Sequence, residues 1–299
     1  MTTVSVAVPR MGRPLEAVLE RIAASTGATD VADEIISTLR YEKAVTKGSQ
    51  STEHHVYDRL ADYSDVTEPT SPEYSLLRDD REGMPRRLVF DSVTIPTDDG
   101  DLRLIGREEP FRALRKHEFA LGFDSADLVL EEVVELRPES LGDLAAVNER
   151  IDPMDTDVRL RTGLGDTVYH TLLATPDVAP AGETPLDRDF VDDYAGELCI
   201  SPRYERLVEA ILGTDALNRI EFTYPKSGQT EEAAVANAGL GVYLTVTGST
   251  AREHGLVVGE SLFPSETVLL ENVSERTDAT DRIASLLTGD DIDTELALA

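Results

Sequence analysis

The sequence predicts an α/β protein, and three observations carry that reading. The first is a repeated order of strand, Gly- or Pro-containing turn and helix, beginning with TTVSVAVP followed by MGRPLEAVLERIAAST. The second is that the apolar runs are short and β-branched, as in LVFDSVTI and GLGVYLTV, which is the composition of buried strands. The third is length: 299 residues with 40% hydrophobic content suffice for two lobes, each with its own core.

Taken in order, residues 2–9 alternate into a first strand, and Leu15, Val18, Leu19 and Ile22 follow at helical spacing. Pro14 then sits in the first turn of that helix, where a missing N–H costs nothing. From about Tyr41 to Arg87 the chain is polar, acidic and broken by Pro69, Pro72 and Pro85, which predicts an inserted excursion or a partly mobile lid. His54 and His55 lie inside it beside Glu53 and Asp58; such a pair reads as a metal site or, more plainly, as solvated side chains. Residues 88–95 restore a strand. Residues 102–106 form another, followed by a basic amphipathic helix through Phe111, Leu114 and Phe119 and a strand at ALGFDSAD. VRLRTGLGDTVYHTLLATPD reads as two strands joined by a Gly-rich turn, with His170 as a packed or edge residue of the second. FVDDYAGELCISPRYERLVEAILG repeats strand, turn and helix, and IEFTYPKSGQTEEAA closes the region. The single cysteine, Cys199, is an inert core residue in ELCISP, so no intrachain disulfide is expected.

The most informative stretch is VTGSTAREHGL, Val246 to Leu256. It follows the apolar run from Gly239 and gives the order strand, tight polar turn, helix start. Backbone N–H groups there have no intrahelical acceptor and lie at the positive end of the helix dipole, so they suit a phosphate. Thr247, Ser249 and Thr250 add hydroxyls, and Gly248 lets the backbone approach a ligand. The same residues also read as an ordinary capped turn ended by Gly255.

Charge excludes more than it identifies. Acids outnumber bases 58 to 28, for a net charge of −30, and only four of the bases are lysines. The acids are scattered through every segment, as expected of a surface adapted to high salt. A duplex nucleic acid would need a basic stripe, and none is visible. No run approaches about 20 uninterrupted apolar residues, so no membrane span is expected. The N-terminus reads as a strand and not as a signal peptide, which predicts a cytoplasmic protein.

TGSTAREHGL with VVGESLFPSETVLLEN after it resembles the C-terminal part of the catalytic region of ATP phosphoribosyltransferases, in which a TGxTL loop holds the 5-phosphate of phosphoribosyl pyrophosphate. VAVPRMGRPLEAVLE resembles that family's start: Gly12 and Arg13 match its lysine-glycine-arginine-leucine turn, while Met11 stands where the family has lysine. Around residues 102–132, Arg107, Pro110, Gly122 and Asp127 fall on matching positions, with Asp124 and Ser125 replacing a Thr-Gly pair. Gly228 and Glu231 fall on a Gly-x-x-Glu turn. Family members carry acids in the strand before the phosphate loop; here that strand, GLGVYLTV, has none.

The resemblance implies a two-lobed, periplasmic-binding-protein-like (type II) fold with the ligand cleft between lobes. Lobe one would hold residues 1–132, including an acidic insertion at about 41–87; lobe two 133–237; and residues 238–299 would return to lobe one with the phosphate loop and a C-terminal helix. It also implies condensation of ATP with phosphoribosyl pyrophosphate, the first step of histidine biosynthesis, with Mg²⁺ on the substrate pyrophosphate and no metal site of the protein's own. Thr247, Gly248, Ser249, Thr250 and Ala251 would bind the phosphoribosyl group. Gly12, Arg13, Arg107, Asp127 and Glu231 would meet the nucleotide or pyrophosphate. A homo-oligomer acting on small molecules, without nucleic acid or membrane, is expected. The departures at Met11 and in the apolar strand leave a second reading open: a non-catalytic homologue that binds a phosphoribosyl or nucleotide ligand as a sensor or regulatory subunit.

Overall fold

The structure, a computed structural model, describes residues 2–65, 67–78, 86–137, 141, 143–180 and 185–288. Two compact units divide the chain. The first takes the chain up to Ser125, Pro153–Asp166 and the segment from Thr267; the second takes Ala126–Asp152 and Thr167–Glu266.

The first unit contains β1 (Thr3–Pro9), α1 (Gly12–Thr26), α2 (Thr29–Thr46), α3 (Val56–Tyr63), β2 (Glu73–Arg78), β3 (Arg86–Thr97), β4 (Gly100–Arg107), α4 (Pro110–Arg115) and β5 (Leu121–Ser125). In the second lie α5 (Ala126–Glu132) and α6 (Leu144–Glu149), before β6 (Val158–Gly163) returns to the first. The second unit continues with β7 (Val168–Ala174), α7 (Arg188–Asp193), β8 (Gly196–Ile200), α8 (Glu205–Leu212), α9 (Thr214–Leu217), β9 (Ile220–Thr223), α10 (Glu231–Ala238), β10 (Leu240–Thr245), α11 (Ser249–Glu253) and β11 (Val257–Ser265). β12 (Thr267–Asn272) and α12 (Asp278–Thr288) complete the first.

Sheet one runs β2-β3-β4-β1-β5-β12-β6, and sheet two runs β11-β7-β10-β8-β9. In the first, β4, β1 and β5 are parallel and β12 is antiparallel to both its neighbours. In the second, β9, β8 and β10 are parallel and β7 is antiparallel to both of its own. Each unit thus has three parallel strands, a return strand, then one more strand. This is the type II periplasmic-binding-protein-like order, and it bears out the expected fold class.

Local chemistry explains the elements. Leu15, Val18, Leu19 and Ile22 are the buried face of α1, and the helix stops at Gly27, whose φ of 77° allows its N–H to reach the Ala23 carbonyl. Val4, Val6, Ala7 and Val8 are buried, as central parallel strands require on both faces. α3 is fastened to α2 by a buried ion pair in which Arg59 donates to both Glu42 oxygens at 2.6 and 2.7 Å. The Tyr63 hydroxyl joins it at 3.2 Å, and burial, then the Glu42 charge, pushes Tyr63 up to about 12.

Five expectations change. The polar segment 41–87 holds regular structure: α2 runs on to Thr46, α3 follows, and β2 pairs with β3 as the sheet edge. Pro85 lies outside the described residues. The helix after residue 106 ends at Arg115, because His117 turns to a φ of 60° and Phe119 belongs to the following turn. β6 and β7 do not pair with each other: β6 joins β12 and β7 joins β10 and β11, so the Gly-rich turn carries the chain from one unit to the other. For the same reason the chain does not return to the first unit at 238, since β10 and β11 both pair with β7 and the return comes at Thr267. The lobe boundary at 132 likewise moves to Ser125. The acidic end beyond Thr288 lies outside the described residues.

Candidate functional site

In an open α/β sheet, ligands gather beyond the carboxyl ends of the parallel strands, where neighbouring connections leave in opposite directions. In the second unit that place is the end of β8 and β10, and β10 runs directly into Thr247-Gly248. Gly248 has a φ of 69°, a left-handed turn that opens α11 at Ser249. A Cβ at this position would lie 3.0 Å from a Val258 methyl and 3.3 Å from the Arg252 guanidinium, so the turn is built for glycine. Ala251 is buried and anchors the short helix, while Thr247, Ser249 and Thr250 are exposed.

The loop is held in shape by its own polar groups. The Thr247 and Ser249 hydroxyls lie 3.0 Å apart, and Arg252 donates to the Thr247 carbonyl at 2.8 Å. That places a guanidinium against the loop, a cation the sequence reading passed over although it lies only two residues beyond Thr250. Residues 243–251 together with Leu173, Glu231 and Glu232 line a cavity of about 190 Å³. Glu231 and Glu232 start α10, whose cap is Thr230 accepting from the Ala233 N–H at 3.3 Å. Desolvation, then the Glu232 charge, raises the Glu231 carboxyl above its ordinary range, and His170 opposes them. Because much of the residue surface is exposed, solvent screening limits the size of that shift. Glu232 was not among the residues singled out from sequence; its signal was only adjacency to Glu231.

β10 itself brings no carboxylate. Leu240, Val242 and Tyr243 are buried, and the Tyr243 hydroxyl lies 3.6 Å from the Cys199 thiol, so this strand packs the core. Burial raises both groups above their ordinary values, consistent with an inert Cys199.

The remaining predicted residues separate. In the first unit, Gly12 (φ 80°) opens α1 directly after β1. Arg13 donates to the carboxylate and main-chain oxygen of Asp166, and Asp166 also accepts from the N–H and hydroxyl of Thr267 at 2.8 Å each. Arg107 ends β4 opposite Pro9, so it shares one end of the sheet with the Arg10–Arg13 turn. Its exposed guanidinium stands 5.1 Å over the Phe119 ring. Asp127 is different: it is buried in the second unit, with one oxygen 2.9 Å from His170 Nε2 and the other accepting from the Leu128 N–H. Both oxygens are thereby engaged within the protein, in a supporting role.

His55 accepts from the Tyr57 N–H at 3.5 Å and stacks on that ring, which makes it the cap of α3. Among the described residues, no three His, Cys, Asp or Glu side chains converge as a metal cage.

A family model described as halobacterial ATP phosphoribosyltransferase matches residues 1–298. No curated protein matches the chain. Among solved structures, the ATP phosphoribosyl transferase (HisG:HisZ) complex from Thermotoga maritima is 12% identical, with a TM-score of 0.43 over 95% of this chain and 96% of that one. The periplasmic VFT2 domain of Bordetella pertussis BvgS is 13% identical, with a TM-score of 0.40 over 96% and 92%. The regulatory domain of the LysR-family regulator MetR from N. meningitidis is 13% identical, with a TM-score of 0.37 over 62% and 79%.

Proposed function

The chain belongs to the halobacterial ATP phosphoribosyltransferase family, and from that premise we propose that it joins ATP to phosphoribosyl pyrophosphate in the first step of histidine biosynthesis. N1 of the adenine attacks C1 of the ribose, the bond from C1 to the pyrophosphate oxygen breaks, and pyrophosphate leaves with the electron pair. The sugar is cation-like in the transition state, so the protein must position two substrates and neutralise phosphate charge. It needs no nucleophile of its own.

The observation that carries this reading is the convergence of the TGST loop with Glu231 and Glu232 on one cavity. The 5-phosphate is assigned to the hydroxyls of Thr247, Ser249 and Thr250 and to the first N–H groups of α11, backed by Gly248 and Ala251. Glu231 and Glu232 supply the acceptors for the ribose hydroxyls that β10 lacks. Arg13 and Arg107, with the Gly12 turn, are assigned to nucleotide or pyrophosphate oxygens. Mg²⁺ fits this donor set as an ion held mainly by substrate phosphates with one or two carboxylates, Glu231 or Glu232, as protein ligands. When bound it neutralises charge on the departing pyrophosphate. No described helix is long and apolar enough to cross a membrane, and the proposed setting is the cytoplasm.

Met11 at the first turn and the engagement of Arg13 by Asp166 favour the second reading, a homologue that binds the same ligands without turnover. One assay separates the two. The protein is mixed with ATP, phosphoribosyl pyrophosphate, Mg²⁺ and pyrophosphatase in molar KCl, and phosphoribosyl-ATP is followed by absorbance. Product above background establishes the transferase. A preparation that binds phosphoribosyl pyrophosphate and forms none establishes the sensor or regulatory subunit.

A further inference from the structure

Beside the Met11-Gly12 turn, the first unit contains a cavity of about 610 Å³, within the range of small-molecule sites, about 300–1,000 Å³. Its charge is opposite to that of the chain. Arg40 and Lys43 from α2, Lys47 at its C-cap and Arg87 from β3 line it, against one carboxylate, Glu16. Acids outnumber bases 58 to 28 overall, yet two of the only four lysines meet here.

Arg40, Lys43 and Lys47 stand three and four residues apart, and the C-cap Lys47 keeps right-handed helical angles, so α2 and its cap present them on one face. Like charges at that spacing disfavour a helix, and the helix dipole offsets this only within the last turn. Glu16 is occupied, since Arg40 donates to both its oxygens at 3.2 and 2.6 Å. Among the described residues, neither Lys43 nor Lys47 has an acidic partner. Two unpaired ammonium groups on a cavity call for an anion with several charged oxygens spread over its length. A lysine is a point charge well suited to a phosphate.

We propose that this cavity binds the triphosphate of the nucleotide substrate, with Lys43 and Lys47 supplying the positive charge that Met11 does not. The identity of the nucleotide rests on the phosphoribosyltransferase reading; the existence of a polyphosphate site does not.

The test uses the full chain at a KCl concentration where it is folded, titrated calorimetrically with ATP, tripolyphosphate, pyrophosphate, adenosine and ribose 5-phosphate. In Lys43→Gln/Lys47→Gln, ATP and tripolyphosphate are expected to bind about tenfold or more weakly. Adenosine and ribose 5-phosphate are expected to be unchanged, as is ATP binding by Lys116→Gln, which removes a charge elsewhere in the unit. Circular dichroism checks folding, and Lys47→Gln alone, at an exposed position, serves if the double variant fails to fold. ATP affinity within twofold of wild type overturns the site. So does an equal loss for ribose 5-phosphate, which would mark a general charge effect. Loss for pyrophosphate without loss for ATP overturns the nucleotide assignment. Absence of transferase product alongside lysine-dependent ATP binding would remove the reaction and leave this site standing.

Discussion

His170 Nε2 and a carboxylate oxygen of Asp127 lie 2.9 Å apart, and both side chains are buried. The imidazole stacks on Phe263 at 4.2 Å and meets the edge of Tyr204 at 4.6 Å, so the pair ties α5 to β7 inside the second unit. Leaving one partner of a buried hydrogen-bonded pair unsatisfied costs about 1–3 kcal/mol, more for a charged group. Asp127→Ala is therefore expected to lower the unfolding free energy measured in urea by at least that much, and Asp127→Asn, which keeps an acceptor, by less. A loss below about 1 kcal/mol for the alanine variant would show that the pair is not a structural tie.

The phosphate loop separates stability from binding. Thr250→Val removes an exposed hydroxyl and is expected to leave melting unchanged while weakening ribose 5-phosphate by about 1.5–3 kcal/mol. Gly248→Ala acts on both, because a side chain at a left-handed φ costs about 1–2 kcal/mol and its Cβ would crowd Val258. Equal calorimetric affinity for wild type and Thr250→Val would remove the assignment of the loop to the 5-phosphate.

Glu231 gives a pH dependence whose sign is fixed by desolvation, the first cause of its raised pKa. Between the ordinary value of 4.5 and the raised folded value, the folded state binds the proton more tightly than the unfolded state. Stability from this group is thus fully present below 4.5 and lost as pH rises through the folded value. Glu231→Gln should be more stable than wild type at pH 7, and the gap should narrow as pH falls toward 5. Chemical denaturation at both pH values checks this; a gap that widens on acidification contradicts it.

Local patterns were legible where a short stretch decides its own structure. Four apolar residues at helical spacing marked the face of α1, and a β-branched run breaking into TGST marked β10, the turn and α11. Strand partners were not legible, because β6 and β7 look like a hairpin locally while their partners, β12 for one and β10 and β11 for the other, lie about 70 to 110 residues away. The fastening of α3 escaped for the same reason: nothing within a helical turn of Glu42 announces that Arg59 will neutralise it. Of the candidate site, TGST and Glu231 were readable as motifs. Glu232, Lys43 and Lys47 became visible only once the fold had brought them to cavities, and Arg252 once it was seen against the Thr247 carbonyl.

The acid excess leads to a prediction about salt that the buried contacts sharpen. Net charge of −30 makes the compact state repel itself, and the repulsion reaches about 10 Å at 0.1 M salt but only about 3 Å at 1 M. Melting temperature is therefore expected to rise steeply from dilute buffer to molar KCl, with folding requiring the latter. Exposed pairs cannot supply stability there: Arg137 and Glu135 are half exposed, and such contacts are weak and screened. The Arg59–Glu42 pair is buried and is screened far less. Arg59→Ala should consequently destabilise the protein in molar KCl, because it leaves Glu42 buried without its cation, whereas Arg137→Ala should change nothing measurable. Scanning calorimetry of the wild type and both variants across KCl concentrations tests all of this together. A wild-type curve that does not move between dilute buffer and molar KCl would sink the salt requirement, and an Arg59→Ala effect that vanishes with added salt would show that the pair is solvated after all.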